Sequence, residues 1–343
     1  MLKVKKEGIL LKKTHLGFEN EGVLNPAVFQ DGNSVHMFYR AVRKGNFSSI
    51  GYARFDGPLQ LQIRHDRPIL HPQNDYESHG MEDPRIVRID GLFYLTYTAY
   101  DGVNALGALA TSHDLIHFEK KGLIAPQIKY EMFRHLAECA PGLNHKYFRH
   151  YEFHKLRNEL NGRFVWNKNI VFFPRRINGK LAFLHRVWPG IQLALINEID
   201  ELTLEYWDDY YMNLSDHIIM DPFFDHEASH IGAGAPPIET DAGWLIIYHG
   251  VYDSPGGYVY TACAALLDLH DPSKVIGRLP YPLFKPEFEY ELIGEVDNVC
   301  FPTGTTLFDN YLYIYYGAAD DKIACASVSL HELLQELMKS SQL

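Results

Sequence analysis

A proline-led hairpin recurs five times along the 343-residue chain, and no other feature restricts the fold as strongly. The copies are "NPAVFQDGNSVHMFYRAV", "DPRIVRIDGLFYLTYTAYD", "FPRRINGKLAFLHRVW", "PPIETDAGWLIIYHGVYD" and "FPTGTTLFDNYLYIYYGAAD". Each starts at Pro26, Pro84, Pro174, Pro237 or Pro302 and runs through a short strand and a turn. It returns along an apolar strand to Tyr39, Tyr97, His185, Tyr248 or Tyr315. The turns fall at Asp31-Gly32, Asp90-Gly91, Asn178-Gly179, Ala242-Gly243 and Asp309-Asn310. Asp-Gly and Asn-Gly pairs suit tight hairpins because both residues accept positive φ.

The copies return about every 60 residues, except across one longer interval. That interval holds a block at about 127–162 that reads as helical and as an insertion. Five hairpins at this period, with strands between them, predict an all-β chain: a five-bladed β-propeller forming one domain over 1–343. A β-sandwich is the rival arrangement. The segment "SLHELLQELMKS", with a capping box from Ser329 to Glu332, predicts a separate helix over about 329–340 that packs on the outside.

A propeller gathers the ends of its innermost hairpins around one shaft. Asn25 and Asp83 stand just before the prolines, and Arg40, Arg186, His249 and Asp320 follow the apolar strands. These ends are expected to share one pocket. In "GMEDPRI", Asp83 lies between Glu82 and Pro84, with Arg85 close by. Proline restricts the residue before it, so Asp83 is expected to be extended. Taken alone, Asp83 and Arg85 read as an ion pair closing a strand end; with the other polar ends converging, they read as a site. Lys168 joins Arg40, Arg186 and His249 in a basic set that suits an anion or several sugar hydroxyls, or simply caps strands. Glu227 is a candidate second carboxylate, or else a loop acid facing solvent. The "GAGAPP" after it leads into a strand rather than a helix, so it makes no phosphate loop. His135, His145, His150 and His154 show no fixed spacing on one face and read as solvated or structural.

A net charge of −11 argues against nucleic acid and against an anionic membrane surface. It suits a neutral partner, a small oligosaccharide. Aromatics at 13% fit both pleated sheets and sugar faces. Four scattered cysteines and the absence of any metal motif imply reduced thiols, no metal and no cofactor. No apolar run reaches about eighteen residues, so no membrane span is expected. The N-terminus lacks the apolar core of a secretory leader, which reads as cytoplasmic as the sequence stands, or periplasmic if a leader was trimmed. A homo-oligomer is left open.

The motifs "LNPAVF", "FYRAV", "GMEDPRI", "FFPRRINGKLAFLHR", "IGAGAPPI", "GWLIIYHGV", "AALLDLHDPSKVIGR" and "NVCFPTG…YIYYGAAD" together resemble glycoside hydrolase family 130 from about residue 20 to 335. The resemblance implies a five-bladed propeller that cleaves β-mannosides with inversion, using inorganic phosphate in phosphorylases or water in hydrolases. It implies Asp83 as the catalytic acid, its proton passing through a mannose hydroxyl. It also implies that Asn25, Arg40 and Asp320 hold the mannose, with Arg85 beside them and Tyr260 near the nucleophile. Lys168, Asn169, Arg186, His230 and His249 would form the phosphate or anion set. Three positions depart from the phosphorylase pattern. Ser48 and Ser49 stand where an arginine is usual, Lys168 replaces an arginine, and His230 replaces a lysine. Arginine forks grip phosphate better than lysine or neutral histidine. The thinned set therefore predicts an inverting β-mannosidase for short β-mannosides, 1,2-linked ones among them, with Asp83 as acid. Glu227 would be the base, with a water held between carboxyls roughly 6.5–9.5 Å apart. The alternative is a phosphorylase releasing mannose 1-phosphate, with phosphate as co-substrate; a non-catalytic sugar-binding propeller is the third reading.

Overall fold

The computed structural model describes residues 2–340. Its first strand, β1 (Lys5–Lys12), belongs with the last unit of the chain. Unit one is β2 (Gly22–Asp31), β3 (Ser34–Arg43), β4 (Phe47–Asp56) and β5 (Gln60–Arg64). Unit two is β6 (Gly80–Ile89), β7 (Leu92–Tyr100), β8 (Ala105–Ser112) and β9 (Phe118–Leu123). Unit three is β10 (Asn167–Phe172), β11 (Leu181–Val187), β12 (Ile191–Ile196) and β13 (Ile218–Met220). In unit four, β14 (His230–Ala233) and β15 (Ile238–Thr240) both pair with β16 (Gly243–Ser254). β17 (Gly257–Leu267) and β18 (Val275–Arg278) follow. Unit five is β19 (Cys300–Phe308), β20 (Tyr311–Ala318) and β21 (Lys322–Ser329), completed by β1 antiparallel to β21.

Within units every strand pairing is antiparallel, and neighbouring units meet at narrow lateral links. Ser48 N donates to His79 O (3.2 Å), and Asn167 pairs in parallel with Leu106. Ile231 N donates to Pro189 O (2.9 Å), and Tyr260 N to Asn298 O (3.0 Å). Val23 N donates to Asp321 O (3.3 Å), which leads unit five back to unit one. The strands form three open sheets of twelve, five and four strands. The all-β expectation therefore holds at the level of class.

Three of the expected turns carry positive φ at both residues: Asp90-Gly91 (49°, 85°), Asn178-Gly179 (50°, 80°) and Asp309-Asn310 (48°, 64°). The other two slide by one residue. Asp31 pairs with Ser34 and Thr240 with Gly243, so these turns are Gly32-Asn33 and Asp241-Ala242.

Four units share a buried device that the sequence reading did not foresee. Glu19, Glu77, Glu227 and Glu291 are all fully buried. Each accepts a phenol hydroxyl, from Tyr39 (2.8 Å), Tyr97 (2.9 Å), Tyr248 (2.6 Å) and Tyr316 (2.5 Å) respectively. Each also faces one cation: Arg64 (2.9 Å), Lys120, Arg278 (2.6 Å) and Lys6. Glu77, Glu227 and Glu291 further accept two backbone amides apiece at the start of a short helical turn. A buried carboxylate is tolerable only when paired and hydrogen-bonded, and these are. In unit three His185 takes the corresponding place, between Asn167 (2.9 Å) and the Tyr210 hydroxyl (2.8 Å). The unit-five phenol is thus Tyr316 rather than the expected Tyr315, which donates to Pro58 O instead (2.9 Å).

This device corrects both expectations for Glu227. It neither faces solvent nor lines the cavities described below. Its oxygens are taken by Tyr248, Arg278 and two amides, so the role of general base does not carry to it.

The insertion forms helices at Tyr130–Ala137 and Arg149–Leu156, joined through a 3-10 turn at His145–Phe148. An unforeseen helix, Leu204–Met212, packs on the first of these, with the rings of Phe133 and Tyr211 5.2 Å apart. The C-terminal helix Leu330–Lys339 starts at Ser329, whose hydroxyl accepts from Glu332 N (3.3 Å), and it buries Leu333 and Leu337. No described helix is long and apolar enough to cross a membrane.

Replacing Glu77 or Glu227 by Gln strands a cation in the interior. Each variant should lose about 3 kcal/mol of unfolding free energy in urea titrations. A Glu227→Gln protein as stable as the parent but devoid of activity would restore a chemical role for that carboxylate.

Candidate active site

The site is built on irregularities at the same place in three first strands. The register shifts between Leu24 and Ala27, between Glu82 and Arg85, and between Lys168 and Val171. Asn25, Asp83 and Asn169 sit in these bulges at φ of 50°, 48° and 58°. Asp83 is therefore left-handed, not extended as expected. Proline disfavours the right-handed helical region for its predecessor, but Asn and Asp tolerate the left-handed one. A bulge re-aims a side chain, and all three residues line one cavity of about 160 Å³.

On one side of this cavity carboxylates gather around Arg40. Asp83 Oδ1 accepts from Asn25 Nδ2 (2.7 Å) and lies 3.9 Å from Arg40 Nη1, while Arg40 Nη2 pairs with Glu82 Oε1 (2.6 Å). Burial pushes the Asp83 carboxyl up. Arg40, Arg85, Lys168 and the Asn25 hydrogen bond outweigh burial and hold it below the usual range. Asp320, at φ 50°, lines the same cavity. Burial raises it to about 6, with Arg40 opposing and Asp83 and Glu82 assisting.

Arg85 is placed differently from expectation. It is 2% exposed and lines neither cavity. Its guanidinium donates to Asp83 O (2.7 Å), Pro84 O (3.0 Å) and Gly234 O. It holds the backbone that carries Asp83 instead of reaching into the pocket.

On the other side the groups are basic and uncompensated. A second cavity, of about 330 Å³, shares Lys168, Arg186 and Tyr260 with the first and adds His230. Among the described residues neither Lys168 nor Arg186 forms an ion pair. Lys168 lies over the Trp166 ring (5.1 Å), and Arg186 Nη1 donates to His249 Nε2 (3.2 Å). Burial lowers both cations, Arg186 to about 10. His249 is fully buried behind Arg186 and lines neither cavity, so it backs the arginine rather than meeting an anion itself. Burial and then Arg186 keep His249 and His230 neutral. Asn169 donates to Ala233 O (3.4 Å) at the edge of the first cavity. Ser48 and Ser49 are buried and line neither cavity.

The sequence reading assigned no named residue of the insertion to a pocket, yet the insertion lines this second cavity. His150, expected to be solvated or structural, lines it beside Arg149, Trp166 and Trp188, with the His150 and Trp188 rings 5.0 Å apart. Burial takes His150 down to about 4. Only the fold carries this signal, because the insertion has no counterpart in the repeat. His226, Glu227 and Cys263 lie close enough together to resemble a metal-binding group. Glu227 is already saturated, however, and burial pushes the Cys263 thiol up to about 12, so they make a poor ligand set.

The family of the chain follows from its similarity to known proteins. The model for glycoside hydrolase family 130, described as beta-1,4-mannooligosaccharide phosphorylase, matches residues 11–339, and the chain belongs to that family. It is 32% identical to the 1,2-beta-oligomannan phosphorylase of Thermoanaerobacter sp. (strain X514), over 97% of this chain and 99% of that one. It is 33% identical to the beta-1,2-mannobiose phosphorylase of the same organism, over 91% of each. Among solved structures, the beta-1,2-mannobiose phosphorylase of Listeria innocua in complex with beta-1,2-mannobiose superposes with a TM-score of 0.72 at 23% identity. That match covers 98% of this chain and 99% of that one, and it shows the shared fold.

Asp320 gives a pH test. Its folded value is raised from 3.8 to about 6, so its contribution to stability is full below the unfolded value and is lost as pH rises through about 6. Without sugar, Asp320→Asn should melt above the parent at about pH 7.5 and lose that margin by about pH 4, as read by differential scanning fluorimetry.

Proposed function

We propose that this enzyme is a β-mannoside phosphorylase that cleaves 1,2-linked substrates with inorganic phosphate and releases mannose 1-phosphate. The observation that carries the reading is the pair of half-buried cations without an ion-pair partner, Lys168 and Arg186, facing the Asp83 cavity in a chain of net charge −11. Water as nucleophile needs a base, and the carboxylate expected to serve is locked away in unit four. Glu82 is committed to Arg40. The hydrolase reading favoured by the thinned basic motif therefore gives way. The names of the two relatives at 32% and 33% identity point the same way.

Asn25, Arg40 and Asp320 hold the mannosyl unit beside Asp83. Phosphate at Lys168, Arg186, Asn169, His230 and Tyr260 attacks C1 from the face opposite the leaving oxygen, which inverts that carbon. The C1–O bond breaks as the C1–phosphate bond forms, and the Asp83 proton reaches the departing oxygen through a mannose hydroxyl. The nearby cations keep Asp83 ionised. Phosphate neutralises part of that field and raises the Asp83 value, so the acid is charged with its proton as the co-substrate arrives. We further propose that the five units stand as blades of a propeller around this cavity. The cyclic order of the lateral links, from unit one through unit five and back, supports that arrangement.

With β-1,2-mannobiose, product should form only when phosphate is present, and mannose 1-phosphate should appear in equal amount to mannose. Free mannose alone, at the same rate without phosphate, identifies a β-mannosidase. Asp83→Asn should cut kcat by about 10²–10⁴-fold while the melting temperature holds. Unaltered turnover in that variant would leave a sugar-binding or differently catalysed protein.

A further inference from the structure

The motif positions supply fewer cations than phosphate binding would favour, yet the second cavity contains one more than the motifs predict. Arg149, the first residue of the insertion helix Arg149–Leu156, lines this cavity together with Lys168, Arg186 and His230. Its guanidinium lies 5.5 Å over the Trp188 ring, and that ring lies 6.3 Å from His230. Trp166, the neighbour of His150 at 6.5 Å, carries Lys168 above it. Two tryptophans thus present two cations to the same space. Like Lys168 and Arg186, Arg149 forms no ion pair among the described residues.

Two features make this placement costly for a merely structural residue. A cation in the first turn of a helix opposes the helix dipole. Three cations around one cavity repel one another until an anion joins them. The field converges where an anion would sit: after burial, Arg186, Lys168, His150 and Arg149 in that order depress His230.

We propose that Arg149 is a phosphate-binding residue, delivered by the insertion to replace the arginine that is absent at Ser48–Ser49. The assignment rests on the phosphorylase reading above. Its chemistry is that of a planar fork that can offer two parallel N–H donors to a phosphate dianion, complementing the point charge of Lys168. Arg149 is an exposed residue on a helix outside the sheets, so its replacement leaves the core intact.

The test is Arg149→Gln in the full chain, with steady-state kinetics in both substrates and calorimetric titration with inorganic phosphate. The KM for phosphate should rise about tenfold to a hundredfold, the KM for β-1,2-mannobiose should stay within about twofold, and phosphate binding should weaken in parallel. Arg149→Lys should recover part of the loss. A rise in the mannobiose KM alone would make Arg149 a sugar contact and overturn the assignment. An unchanged phosphate KM in a phosphate-dependent parent would overturn it too. If the parent enzyme itself needs no phosphate, the phosphorylase reading fails first, and that outcome is visible before any variant is made.

Discussion

Burying a carboxylate is the constraint on which the rest of this structure hangs. In four units a glutamate ahead of the first strand accepts from a tyrosine on the returning strand of the hairpin and pairs with a cation on the unit's last strand. The cations are Arg64 at the end of β5, Lys120 on β9, Arg278 on β18 and Lys6 on β1. Each set ties the inner hairpin of a unit to its last strand. The penalty for a missing partner is several kcal/mol, because the charge that remains stays out of water. In unit five that partner comes from the other end of the chain, so the Glu291–Lys6 pair and the β1–β21 pairing together join the termini.

With the hairpins held in register, the bulges can do their work. A slip of one residue would turn every side chain of a strand to its opposite face. Instead Asn25, Asp83 and Asn169 leave the ladder at equivalent points and point into one cavity. Arg85 fastens the Asp83 bulge from behind through three carbonyls. On the acid side Glu82 and Asp83 face Arg40, while Lys168 and Arg186 on the basic side form no ion pair among the described residues. Under the proposed phosphorylase reading, that asymmetry suits one wall to a neutral sugar and the other to an anion. It favours phosphate over water, since cations without partners gain most from a doubly charged ligand.

The hairpins, three of their five turn pairs, the all-β class and the gathering of Asp83 with other polar strand ends were legible in the chain of letters. So was the family resemblance, because those features are local: an Asp-Gly or Asn-Gly pair between alternating apolar residues means the same thing wherever it stands. Asn25, Arg40, Lys168, Asn169, Arg186, Tyr260 and Asp320 lie together around the first cavity. Glu227, Arg85 and His150 were read differently from how they are placed. An acid before a glycine-rich strand looks the same whether it faces a substrate or is clamped by Tyr248 and Arg278.

Sequence alone thus determined the repeating strand-and-turn grammar and the family resemblance, since both depend on backbone preferences and motifs a few residues long. Tertiary structure alone decided which charges are neutralised and which stand free. A charged side chain has its meaning set by partners far off in the chain, as buried Glu291 has in Lys6 and as Lys168 and Arg149 have in the absence of any ion-pair partner among the described residues.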